Sequence, residues 1–461
     1  VVVGGGVTGL TTAYRLRQLL PDAAITLIEA DQRLGGKIQS STFAGISGVD
    51  EGPDAFLTRV PHAMNLAAEL GLSGQITSPA VGVASVWWNG MHSIPEALML
   101  GVPTDLFKLA RSDLLTWPGK LRAALEPILP ATGVGADSVG LLIRHRFGKQ
   151  VHERLVDPLI GSIYAADTDK FSLASVPQLF DLANNNRSLL IGGRRSKRKL
   201  AAMAGAAVAG PIFGTPRSGM AALTDALAES LRTSAVTVTT GVQVSEVAPS
   251  GDGWMVNGAF ADAVVFATPA RPTAAVLAPL CAEASAALAT FEHSSVVMLT
   301  IALKGDTWPD AYRQRSGYLV PKPVQKMVTA TSFASSKWAH WQPTHPDGGV
   351  VLRISLGRDG HDVTDRSDDF LINGALDEVG LHLGLDLQPT ELRLGRWKAA
   401  FPQYRPGHAK RVLGIESALA RDAAGVFVCG ASYHGMGIPA CVQQANSTAQ
   451  LVANYVRTVR N

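Results

Sequence analysis

The chain has 461 residues, 46% of them hydrophobic and 17% charged, which excludes a disordered polymer and predicts roughly two or three domains around a large core. A formal net charge of +3 excludes a general nucleic-acid surface, and three cysteines, Cys281, Cys429 and Cys441, come in odd number without C-x-x-C spacing. That usage argues against a disulfide framework or a metal site and for a reducing cytoplasm. No apolar run reaches the length of a membrane span, and the chain opens on a core strand, so no signal peptide is expected.

Val1-Val2-Val3 predicts a short strand, and Gly4, Gly6 and Gly9 follow it in G-x-G-x-x-G spacing. Leu10, Ala13, Leu16, Leu19 and Leu20 then recur at helical intervals, so Gly4, Gly5, Gly6, Val7, Thr8 and Gly9 lie at a strand-to-helix turn. Such glycines allow a tight turn, a backbone bare enough for pyrophosphate, and close helix packing. The phosphates meet free N–H groups at the positive end of the helix. A second strand, Ala24 to Ile28, ends in Glu29 and Ala30, with Glu29 placed to accept from a ribose diol and to repel a 2′-phosphate. A glycine turn alone is also an ordinary structural turn. Strand, turn, helix, strand and acid together predict a dinucleotide site, and NADP is not expected there.

Arg33-x-Gly35-Gly36-Lys37 adds a second bare backbone segment with basic flanks suited to pyrophosphate. This arrangement resembles the large flavoprotein family of amine oxidases, desaturases and porphyrinogen oxidases, which implies FAD rather than NAD. Past two predicted strands between Ile38 and Val49 comes Gly52-Pro53-Asp54-Ala55-Phe56. By composition it is a plain connection. It also resembles a G-P-D-S-F-like segment beside the flavin ring of porphyrinogen oxidases, with Ala55 where a hydroxyl is usual. Pro61 to Leu70 predicts a helix, with Pro at its start and Gly71 past its end. Ser85 to Ile94 predicts a hairpin about Asn89-Gly90, a type I′ turn pair.

From Pro95 to about Leu190 the pattern is helical, interrupted by Pro103, Pro118, Pro127 and Pro130. It contains Arg146-Phe147-Gly148 and Asp157-Pro158-Leu159-Ile160-Gly161-Ser162-Ile163-Tyr164-Ala165-Ala166-Asp167. Physically this predicts a helix broken at the proline, then a glycine turn in which Tyr164 packs. The segment closely resembles the R-F-G…P-L…G-I-Y-A-G-D run of bacterial porphyrinogen oxidases, which amine oxidases do not share; Ala166 replaces the usual Gly. Arg194 to Lys199 concentrates five positive charges ahead of an Ala/Gly-rich run, Leu200 to Gly210. That stretch predicts a solvated loop; the alternative is a basic rim for a carboxylated substrate or peripheral membrane contact. Tyr164, Arg194, Arg195 and Lys197 are the candidate substrate contacts.

Thr215 to Met220 leads into a helix, followed by predicted strands at Val236–Thr240, Val242–Val247 and Ala261–Pro269. The resemblance implies that Val244 contacts adenine through its backbone. Strands near Val296–Ala302 and Val350–Leu356 and a helix near Asp368–Leu383 predict a second, sheet-based unit. Arg396 to Tyr404 resembles a W-x-x-A-x-P-Q-Y segment near the flavin, which implicates Trp397. The last strand, Val426 to Cys429, runs into Gly430, Met436, Gly437 and Ile438 and a helix from about Cys441 to Val456, whose first amides can face the flavin. His434 reads as a solvated or packing residue rather than a base. No cysteine lies between Trp397 and Val428, so the flavin is expected to be non-covalent.

The resemblance as a whole implies an α/β fold. Residues 1–80, 211–270 and 391–461 would form a Rossmann-like FAD-binding domain. Residues 81–94 and 271–390 would form an α+β sheet domain for substrate, and 95–210 an inserted helical domain. It further implies oxidation of a porphyrinogen by O2. The soluble bacterial branch points to coproporphyrinogen III, with protoporphyrinogen IX second and hand-over of product to later porphyrin enzymes. An amine oxidase and a non-catalytic binding module are the alternatives on the same fold.

Overall fold

The computed structural model describes residues 1–96, 98–129, 137–204, 210–342 and 349–460. Among these residues, Val2–Val3 is the middle strand of a five-stranded sheet in the order 237–239, 26–28, 2–3, 264–266, 426–428. Every pairing in it is parallel, so both faces must be covered. Alternate residues do this: Val2, Leu27 and Val265 pack under helices Val7–Leu19, Ala221–Thr233 and Ile438–Arg460. Val3, Val264, Phe266, Val426 and Val428 pack on the other face, against helices Ala270–Leu277, Ala282–Ala289 and His408–Asp422. The strand expected at Val242–Val247 is not formed; a strand begins only at Val247.

Among the described residues, a seven-stranded sheet runs 391–403, 292–303, 350–356, 328–333, 317–319, 84–87, 91–93. Helix Asp368–Leu383 covers one face of it through Leu371, Ala375 and Val379. The sheet takes in Glu391–Gln403, and helices Ala270–Leu277 and Ala282–Ala289 share the core of the five-stranded sheet. The expected boundaries at 270 and 390 therefore do not follow the layers. The hairpin has Asn89 and Gly90 at positive φ, as predicted, but Trp87 pairs with Met91, which makes its loop three residues long.

The insertion is helical with a core of its own that also takes in Val86 and Tyr404. Pro130 and residues 205–209 of the Ala/Gly run lie outside the described residues. Two expectations fail here. The helix is not broken at Pro158: it continues to Tyr164, and a π-helical stretch, His152–Val156, takes up the missing proline N–H just before it. Gly161 is therefore helical, and the left-handed residue is Ala165 at φ 46°. The basic run is not a loop either. It lies within helix Leu189–Ala204, whose first amides, Leu189 and Leu190, donate to the buried carboxylate of Glu126. Arg146, of the R-F-G run, holds that carboxylate at 2.5 and 2.9 Å.

Candidate functional site

The turn at the start of the chain is built for a close ligand. Gly4 donates to Ile28 O at 2.8 Å with φ at 105°. A Cβ on Gly9 would lie 1.8 Å from Gly4 O, so only glycine lets the helix sit this close. A Cβ on Gly6, by contrast, meets nothing within 4 Å among the described residues. Gly6 caps the helix in extended backbone, without a side-chain cap on the N–H groups that begin with Val7 and Thr8. The second glycine pair closes over it: Gly35 donates to Gly5 O at 2.8 Å, and a Cβ on Gly36 would be 3.1 Å from Gly6 Cα.

Glu29 accepts from the amides of Gly5 and Asp31, the latter at 2.8 Å, which orients its carboxylate beside the turn. Ala30 follows it at the surface. Val242 donates to Glu29 O at 3.0 Å, so the extended segment carrying buried Val244 runs alongside this acid. Arg33 spends its guanidinium on Gly36 O (2.6 Å) and Leu34 O (3.2 Å). Through these bonds it braces the second turn.

Just after Gly36, Lys37 donates to Ala400 O at 2.5 Å. Gly52 stands where a Cβ would be 2.3 Å from Lys37 O and 3.5 Å from the Trp397 ring. Trp397 Nε1 donates to Glu51 O at 3.2 Å. The segments around Lys37, Gly52 and Trp397 thus meet. Pro53 is exposed and Ala55 packs on the core of Phe43 and Trp338. Asp54 is committed elsewhere: its carboxylate takes Lys337 at 2.9 Å, Trp338 Nε1 at 3.1 Å and Arg353 at 3.4 Å. Burial alone would raise its pKa, but those cations outweigh it and hold it well below the carboxylate range. Asp54 fastens the loop to the sheet, and Arg353 adds a bond to Gly52 O at 2.6 Å.

The neighbouring Asp50 is fully buried, with Oδ1 accepting from Ser40 (2.5 Å) and Met220 N (2.7 Å). Burial lifts its pKa to about 7 against those bonds. A raised folded pKa favours the protonated fold, so this contribution is full below the ordinary carboxylate pKa and is lost as pH climbs from about 4 to 7. Asp50→Asn should remove it. In urea titrations across that window, the stability gap between wild type and variant should shift with pH; a parallel pair of curves would contradict this.

The C-terminal loop lies across the first helix. Gly430, at φ 116°, brings its missing Cβ position to 3.5 Å from Thr8 Oγ1, and Gln444 accepts from Gly430 N at 3.2 Å. The last helix starts at Ile438, just after Gly437 and three residues earlier than expected, so its N-terminus is closer to this loop. Met436 and Tyr164 pack together on the insertion's core. The Tyr164 ring lies tilted against Phe171 at 4.7 Å, and Gln403 holds the Tyr164 carbonyl at 3.1 Å. Ala165 O is held by Asp359 N (2.8 Å) and Ser294 Oγ (3.0 Å). Below this turn, Asp157 pairs with Arg358 at 2.9 and 3.0 Å and accepts from Thr168 at 2.6 Å, all three buried.

Arg194, Arg195 and Lys197 do not join the cleft. They are exposed on their helix, where Arg194 faces Asp105 and Lys197 faces Glu96. Changing the three to Gln should leave kcat/KM within about twofold at physiological salt, because exposed pairs are screened and worth little. A large loss confined to low salt would show that they steer substrate after all. Sequence reasoning missed Ala400, which acts through its carbonyl and leaves no side-chain signal. It also missed His293, a polar residue at the head of an apolar strand.

A glycine cradle at a helix start, a carboxylate beside it and a C-terminal loop lying across the same helix fit FAD and a flavin-dependent oxidoreductase. The model of the flavin containing amine oxidoreductase family matches residues 7–453. The chain belongs to that family, and FAD is its cofactor. It is 30% identical to the coproporphyrinogen III oxidase of Bacillus subtilis (strain 168), over 99% of this chain and 98% of that one. It is 33% identical to the coproporphyrinogen III oxidase of Mycobacterium tuberculosis (strain ATCC 25618 / H37Rv), over 96% and 95%. A crystal structure from Exiguobacterium sp. 255-15, provisionally named a protoporphyrinogen oxidase, superposes with TM-score 0.85 at 26% identity, covering 98% of each chain.

Proposed function

We propose that the protein oxidises coproporphyrinogen III to coproporphyrin III, with O2 as electron acceptor and H2O2 as the other product. The observation that carries this reading is similarity along nearly the whole chain to coproporphyrinogen III oxidases, at 30% and 33% identity. The chloroplastic protoporphyrinogen oxidase of Oryza sativa subsp. japonica stands at 26%. Protoporphyrinogen IX is the second substrate reading.

Six hydrogen atoms leave the porphyrinogen and three O2 become three H2O2. Bound FAD supplies the hydride acceptor and the electron path to O2. The chain's part is binding and exclusion of water. Gly4 to Gly9 and Gly36 would hold the pyrophosphate, Glu29 the ribose and Val244 the adenine end. Lys37, Gly52, Trp397 and the Gly430–Ile438 loop would enclose the ring. Tyr164 would face the porphyrinogen from the clamped turn.

A strong base is not needed, because pyrrole N–H protons can leave by tautomerisation. In keeping with that, burial, with Lys37 and Arg271 nearby, holds His293 down to about 4, and burial takes His408 to about 4 despite its bond to Tyr433 O. Both imidazoles are neutral at neutral pH. Among the described residues no helix is long and apolar enough to cross a membrane. We place the enzyme in the cytoplasm, passing product to a later porphyrin enzyme. The test is turnover of the two porphyrinogens side by side.

A further inference from the structure

Three successive carbonyls of one turn are each held by residues far away in the chain. Tyr164 O accepts from Gln403 Nε2 at 3.1 Å. Ala165 O accepts from Ser294 Oγ at 3.0 Å and Asp359 N at 2.8 Å, and Ala166 O accepts from Arg358. Between them Ala165 sits at φ 46°, a left-handed conformation that crowds a Cβ and that glycine adopts freely. A strained residue of this kind persists only where its surroundings over-determine it, and such residues gather at functional sites.

Gln403 reaches two of the three carbonyls. Its Nε2 donates to Tyr164 O, to Ser294 Oγ at 2.8 Å and to Phe401 O at 3.2 Å. Two of these partners are carbonyls, which can only accept, so the nitrogen and not the oxygen of the amide faces them. Ser294 in turn spends its own hydrogen on Ala165 O, which makes it a relay from Gln403 to that carbonyl. Gln403 Oε1, by contrast, is buried with no partner among the described residues. An open buried acceptor is costly, so the side chain's contribution lies in what its nitrogen holds. The next residue extends the junction: Tyr404 Oη donates to Ala431 O at 2.5 Å in the C-terminal loop, and Tyr404 O accepts from Ser172 N at 2.7 Å. The end of strand Glu391–Gln403 thus ties the insertion to both the sheet and the C-terminal loop.

We infer that Gln403 is a positioning residue for the porphyrinogen. It holds the 164–166 turn in its strained form, which presents Tyr164 to the substrate at a fixed place relative to the C-terminal loop. The inference rests on the porphyrinogen reading given above. Gln403 acts through the turn and not by touching the reacting atoms.

The test is steady-state kinetics of the FAD-loaded enzyme on coproporphyrinogen III, with flavin content per chain measured alongside. Gln403→Leu should keep flavin content and kcat within about twofold of wild type and raise KM about tenfold, the pattern of lost substrate binding. Adding Ala165→Gly should bring KM back to within about threefold of wild type, because glycine takes the left-handed conformation without the Cβ strain and the bonds from Asp359 and Arg358 remain. A general packing defect would not be repaired by that second change. An unchanged KM in Gln403→Leu, a loss confined to flavin content or kcat, or no recovery with glycine would each overturn the inference. If Gln403→Leu does not fold, Ser294→Ala removes the same relay and takes its place under the same expectations. Wild type that turns over neither porphyrinogen brings down the reading and this inference together; active wild type with variants matching it in KM brings down the inference alone.

Discussion

Gly6→Val yields a folded, colourless protein. The reason is local geometry: a Cβ at Gly6 meets no protein atom within 4 Å among the described residues, so valine has room on the protein side. Its two methyls instead fill the approach that Gly5, Gly6 and the helix N-terminus leave for the pyrophosphate. Gly9→Ala is the internal control. Its Cβ would sit 1.8 Å from Gly4 O, so that variant should lose stability as well as cofactor. The measurement is flavin absorbance per chain together with a thermal melt of the apoproteins. Gly6→Val that stays yellow, with FAD affinity near wild type, would move the pyrophosphate elsewhere.

Arg358→Met destabilises the protein by about 3–5 kcal/mol, the usual cost of leaving one buried charge without its partner. Burial alone would raise Asp157, but Arg358 and Thr168 outweigh it and keep the carboxyl below its ordinary pKa. Removing Arg358 leaves that anion with Thr168 as its remaining donor among the described residues and frees Ala166 O, which Arg358 also holds. Adding Asp157→Asn should recover part of the loss. Urea unfolding at neutral pH measures both variants; a single-variant loss below about 1 kcal/mol would show that the pair is not energetically isolated from water.

These two sites mark what the sequence disclosed and what it did not. The opening turn was legible because every part of it is local: strand, glycines, helix and acid fall within the first 29 residues. Helix Asp368–Leu383 and strand Val350–Leu356 were legible for the same reason, through pattern and caps. Partners distant in the chain were not. Asp54 was read as part of the flavin loop, but its carboxylate is held by Lys337 and Arg353, nearly 300 residues away. The basic run read as a loop because its own residues carry no start signal; the helix begins earlier, where Ser188 Oγ accepts from Ile191 N at 3.1 Å and distant Glu126 takes the amides of Leu189 and Leu190. Asp157-Pro158 read as a break because the π-helical stretch that admits the proline leaves no trace in residue pattern. Nothing local shows that Arg33 turns its donors back onto Gly36 O and Leu34 O.

Coproporphyrinogen III carries four propionates, protoporphyrinogen IX two propionates and two vinyls. If each extra propionate forms a partly exposed ion pair worth about 0.2–1 kcal/mol, the preference is at most ~2 kcal/mol, or roughly thirtyfold. The decisive measurement is kcat/KM on both porphyrinogens with the same aerobic enzyme, followed by porphyrin fluorescence. The account predicts turnover of coproporphyrinogen III to coproporphyrin III with the higher kcat/KM. A preference for protoporphyrinogen IX would contradict it, and no fluorescence from either alongside peroxide from amines would remove the porphyrinogen chemistry altogether.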